Sequence, residues 1–156
     1  MNLKPVFWKT WGAVIVVLVF SAFVLVACSS PSASSNVLKP SNAGGTGDAV
    51  NLTGDATAGA TVFTTNCVAC HGDQGKAGIA NPGSDKGNVP NLNPVDPALK
   101  NADAKVFAAN LDLFIEHGST PKGSSPALQM KAWGDQKLLT SQQIADVIAY
   151  VISLNK

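Results

Sequence analysis

Two cysteines three positions apart, followed at once by a histidine, constrain this chain more than any other feature: Cys67-Val68-Ala69-Cys70-His71. On a helical turn, residues at i and i+3 lie on one side, so two thiols at this spacing can reach one flat partner together. The adjacent imidazole then points at whatever lies at that partner's centre. Three chemistries use a C-x-x-C pair. A dithiol redox pair of the thioredoxin kind wants a preceding strand and a βαβ context, and no strand-period segment stands out here. A structural zinc site wants four ligands, and beyond this motif only His117 and the distant Cys28 could contribute. Covalent haem attachment, in which each thiol adds to one vinyl group and His71 ligates the iron, leaves no partner missing. It is also the form of attachment that an exported protein can keep.

The third cysteine has its own context. Lys4 and Lys9 precede an apolar run from Trp11 to Ala27, softened only by Gly12 and Ser21, and the run breaks at Cys28 into Ser29-Ser30-Pro31. Residues 1–27 read as an export signal. Leu25-Val26-Ala27-Cys28 resembles a bacterial lipobox, which makes Cys28 a candidate for lipidation. The alternative is an uncleaved signal anchor, since the run is at the short edge of what crosses a bilayer of ~30 Å. Charge before the apolar run puts the remainder on the extracytoplasmic side of the cell membrane in either case.

Residues 28–54 are Ser, Asn, Gly, Thr and Pro with few large apolar side chains, which predicts a flexible tether reaching roughly 25–30 Å. The folded domain is expected over 55–156. Asp55 is placed to cap a helix with Gly59, Val62 and Phe63 inward. A second helix is predicted from about Asp103 to His117, with Val106, Phe107, Leu111 and Phe114 apolar and Gly118 to stop it. Thr140 and Gln143 suit a capping box before a stripe of Ile144, Val147, Ile148, Val151 and Leu154. The fold class is all-α: three to four short helices and long loops wrapped around one covalent haem, whose apolar disc supplements a modest core. All eleven basic side chains are Lys, and past Lys4 and Lys9 nine of them face ten acids. No concentrated basic face exists, which excludes nucleic-acid binding.

From Gly59 to Leu154 the chain resembles a class I bacterial cytochrome c. That resemblance implies that Gly59 and Phe63 cross against Tyr150 of the last helix. It maps the segment Pro90-Asn91-Leu92 beside the haem, with the Pro90 carbonyl accepting the proton on the second nitrogen of His71. It also implies a distal Met. Met130 lies fifty-nine residues after His71, and Met1 is the only other methionine; Lys131 stands where the family often has Pro. Thioether ligation raises the reduction potential. His117 is the rival axial ligand, although a helix C-terminus suits a capping role. Trp133 is expected to pack on the haem or meet a propionate, a task that could also fall to Asn91 or a Lys.

A haem with both axial positions filled by protein has no open site for substrate. The expectation is therefore an electron-transfer protein and not an enzyme, tethered by a lipid at Cys28 or by its N-terminal helix. It would carry single electrons in a respiratory chain, from a quinol-oxidising complex to an oxidase, copper protein or reaction centre. Tethering raises the local concentration near such partners. It could equally be a fixed subunit of an assembly such as alternative complex III. The competing class is a haem subunit of a dehydrogenase or a ligand-binding haem sensor.

Overall fold

The computed structural model describes residues 38–76 and 78–156. Residues 1–27, read above as an export signal, and Cys28 lie outside them. Among the described residues there are four α-helical segments: α1 (Ala56–Asn66), the single turn α2 (Val68–His71), α3 (Ala104–His117) and α4 (Ser141–Ser153). Among the described residues there is no strand, only three isolated bridges, at Ala80–Asn88, Leu92–Val95 and Ser119–Met130. No helix among them is long and apolar enough to cross a membrane. The all-α class holds.

Local chemistry sets each boundary. Asp55 accepts from the Thr57 N–H at 2.7 Å and opens α1. Asp103 accepts from Lys105 N–H at 2.8 Å and opens α3, and Gly118, at φ +66°, closes it. Thr140 and Gln143 form the reciprocal capping box of α4, satisfying two N–H groups that the helix itself leaves unpaired. The core joins Phe63 of α1, Phe107 and Leu111 of α3, and Ile144, Val147, Ile148 and Val151 of α4 to the loop residues Val95, Leu99 and Leu139. Leu154 is half-buried. Val106 departs from the expected apolar face of α3, lying 40% exposed.

The crossing of α1 on α4 depends on Gly59. A Cβ there would collide with the Asp146 carbonyl and touch the Tyr150 Cβ at 3.0 Å. One turn on, the rings of Phe63 and Tyr150 meet with centroids 5.3 Å apart at 55°, within the tilted geometry that aromatic pairs favour.

The tether expectation needs correction at its C-terminal end. Residues 41–54 lie on the helical unit. Ala49, in a 3-10 turn over Asp48–Asn51, is buried. The Gly47 N–H donates to Asp112 at 2.7 Å, Asn42 donates to the His117 carbonyl at 2.6 Å, and the Ser41 hydroxyl accepts from Thr120 N–H at 2.7 Å. The composition suggests a linker because the segment contributes little apolar area. Small residues suit it for another reason: a Cβ on Gly54 would strike the Ala145 carbonyl of α4.

Candidate functional site

Cys67 ends α1, and the chain turns there into α2, which carries Cys70 and His71. Helix α2 stops at Gly72, where φ is +74°. Both thiols are free; Cys67 packs against the core while Cys70 is exposed. Burial, then the neighbouring Cys70, pushes the Cys67 thiol up to about 11, so it stays protonated at neutral pH. Burial also lowers the His71 pKa, against an opposing hydrogen bond to Pro90. The ring is therefore neutral near pH 7, with one nitrogen protonated and one carrying a lone pair.

That hydrogen bond decides which nitrogen is which. His71 Nδ1 lies 2.9 Å from the Pro90 carbonyl oxygen, an atom that can only accept. The proton is thus on Nδ1, and Nε2 keeps the lone pair for a metal. The Pro90 segment is itself held. Leu92 and Asn93 N–H groups donate to the Gly75 carbonyl at 2.8 and 3.0 Å. Asn155, just past α4, donates to the Leu92 carbonyl at 2.8 Å and accepts from Val95 N–H at 2.9 Å. The Asn91 side chain accepts from Gly78 N–H at 3.1 Å.

Leu92 and Trp133 are half-buried against the same core as Cys67. Lys131 stands 5.6 Å from the Trp133 ring centroid. Met130 is half-buried, and its backbone pairs with Ser119: Met130 N–H donates to the Ser119 carbonyl at 2.9 Å, and the Met130 carbonyl accepts from Ser119 N–H at 3.1 Å. Gly118 lies under this bridge, where a Cβ would collide with the Met130 carbonyl. His117 is committed elsewhere. Its Nδ1 is 2.8 Å from Asp135 and its Nε2 is 2.6 Å from the Gly45 carbonyl, which leaves no ring nitrogen for iron.

The donor set fits covalent haem: two free thiols on one turn, and beside them an imidazole whose other nitrogen is occupied by a carbonyl. Sequence reasoning missed Asn155 and also Asn81, a 1% exposed residue whose side chain pairs with the Leu128 backbone. Neither falls on a helical period or in a motif. The available signal was a polar residue stranded among loop glycines and prolines, or directly after an apolar stripe.

A short-helix scaffold with a thiol pair and an oriented imidazole defines a class of proteins that carry a covalently held redox cofactor. The chain belongs to the cytochrome c family, whose description, "Cytochrome c", matches residues 56–155. It is similar to "Cytochrome c6" of Rippkaea orientalis (strain PCC 8801 / RF-1), 34% identical over 103 residues that cover 65% of this chain and 73% of that protein. No solved structure matches it. It is accordingly an electron-transfer protein whose cofactor is haem c.

Proposed function

We propose that Cys67 and Cys70 hold the haem through thioether bonds, that His71 and Met130 are its axial ligands, and that Leu92 and Trp133 pack beside it. We propose further that the domain carries single electrons from a membrane attachment at Cys28, on the extracytoplasmic side. Its donor is a quinol-oxidising complex, and its acceptor is an oxidase, a copper protein or a reaction centre. The observation that carries the reading is the 2.9 Å contact of His71 Nδ1 with the Pro90 carbonyl, because it fixes the tautomer that presents Nε2 to iron. Bound haem supplies a one-electron iron couple that exchanges through its edge. The protein's part is to keep both ligands in place in both oxidation states, so that little rearrangement accompanies the transfer. Pro90 serves this by locking the imidazole plane and strengthening His71 as a donor. Met130 serves it with a soft, weak sulfur that favours the reduced iron.

The test begins with a mass spectrum of the mature chain from cells with working cytochrome maturation, which should show one added haem and a diacylglyceryl group on Cys28. The oxidised protein should show a sulfur-to-iron absorption band, and the reduced protein should bind carbon monoxide slowly. A chain without added haem ends the proposal. Rapid carbon monoxide binding with no sulfur band would favour a ligand-binding haem instead.

A further inference from the structure

Two long loops frame the site, one after His71 and one carrying Met130, and they are zipped together along one seam. Asp85 N–H donates to the Lys122 carbonyl at 2.8 Å, Ser125 N–H to Gly83 at 3.3 Å and Ala127 N–H to Pro82 at 2.9 Å. At the inner end of the seam stands Asn81. Its Oδ1 accepts from Leu128 N–H at 2.8 Å, and its Nδ2 donates to the Leu128 carbonyl at 3.0 Å. The side chain is 1% exposed. A carboxamide offers a donor and an acceptor side by side in one plane at every pH, the pattern that a backbone edge presents. Its own main chain is also fixed: Asn81 N–H donates to Gly87 at 2.7 Å, and the Ser84 hydroxyl donates to the Asn81 carbonyl at 2.8 Å. Leu128 lies two residues before Met130, whose backbone is paired to Ser119 on its other edge. The segment from 128 to 130 is therefore gripped at both ends.

We propose that Asn81 is a positioning residue for Met130: its buried carboxamide clamps Leu128 and so would keep the thioether where it can ligate the iron. The inference rests on the ligation proposed above. A thioether is a weak donor, so the fraction of time it spends bound depends on how closely the chain confines it. Without the carboxamide the last bond on that side is Ala127 N–H to the Pro82 carbonyl, so Leu128 and Gln129 lie unclamped between that bond and the Ser119 pairing of Met130. Removing the carboxamide also leaves the half-buried N–H and C=O of Leu128 without their partner whenever the loop stays in place. Both effects favour the conformation with Met130 away from the iron.

The experiment uses the full-length holoprotein and three variants, Asn81→Ala, Asn81→Asp and Asn110→Ala. Asn110 is a buried side chain of α3 that donates to the Leu99 carbonyl at 2.9 Å, a bond that involves neither Asn81 nor residues 128–130, so its loss reports plain destabilisation. All variants should keep haem on a denaturing gel. Asn81→Ala should weaken the sulfur-to-iron band of the oxidised protein and raise the rate of carbon monoxide binding to the reduced protein at least about tenfold. Asn110→Ala should lower the melting temperature and leave both unchanged. Asn81→Asp keeps both bonds to Leu128 only while its carboxyl is protonated, so its sulfur-to-iron band should resemble wild type in acid and weaken as the carboxyl ionises; if Asn81→Ala does not fold, the ionised Asn81→Asp decides. A band and a carbon monoxide rate equal to wild type in the Asn81 variants would overturn the clamp while leaving the ligation standing. A wild-type protein without the sulfur band would overturn the ligation, and the clamp with it.

Discussion

Gly59 has no side chain because the Asp146 carbonyl occupies the space that one would need. Gly59→Ala must push α1 away from α4 or displace that carbonyl, since the obstacle is backbone and not a flexible side chain. The expected cost is about 1–3 kcal/mol, read as a lower midpoint in denaturant unfolding, with haem still attached. An unchanged midpoint would mean that the helices separate without loss and that the close crossing is incidental. At Met130 the expected change is electronic. On the ligation proposed above, Met130→His would replace a soft sulfur by a better donor to the oxidised iron, so the midpoint potential should fall by on the order of 100 mV, a fraction of the range that axial ligands control. Redox titration measures it, and an unchanged potential would remove Met130 from the iron.

The helices were legible from the sequence because their signals are local. Asp55, Asp103, Thr140 with Gln143, and Gly118 sit at the ends where the structure starts and stops α1, α3 and α4, and the stripe on α4 is regular enough to show its buried side. The motif supplied the residues proposed to hold the haem, and the family resemblance supplied the Pro90 contact to His71 that the structure contains. The loops were not legible, since their order comes from single polar side chains that meet main chain far away in sequence. Asn155 illustrates this: it reaches Val95 N–H, the Leu92 carbonyl and the Val151 carbonyl, sixty residues away in the first case. No period announces such a residue. Asn155→Leu keeps the volume and strands Val95 N–H, a loss of about 1–3 kcal/mol. Calorimetry of the holoprotein should then show a melting temperature roughly 4–12 °C lower. A melting temperature like that of wild type would mean that the Pro90 segment is held adequately by Gly75 alone.

Across the whole molecule, the attachment of residues 41–47 to α3 depends on pH through His117. Its two ring nitrogens face two acceptors, the Gly45 carbonyl and Asp135. An imidazolium can donate to both at once, whereas a neutral ring has a single proton and must abandon one. The Gly45 and Asp135 hydrogen bonds accordingly raise the His117 pKa, with Asp135 and Glu116 adding charge and burial opposing them. A group whose folded pKa lies above its unfolded value near 6.5 contributes its full stabilisation below that value and loses it as pH rises through the folded pKa. Asp112, which faces the same segment through Gly47 N–H, has its pKa raised by burial, against the pull of that N–H and of His117. Glu116 is raised by burial, then by Asp112, Asp135 and Asp48, against His117. Both carboxyls bind protons more readily in the folded state, so all three groups push the same way: acid tightens this corner and alkali loosens it. Amide exchange should therefore show protection factors at Gly47 and Thr120 that are highest below about pH 6.5 and fall as pH climbs past the folded His117 pKa. In His117→Gln, which has one donor group at every pH, the dependence above pH 6.5 should vanish, leaving the lower protection throughout. If wild-type protection stays level across that interval, the imidazolium does not hold the segment, and the contacts of Ser41, Asn42 and Ala49 suffice without it.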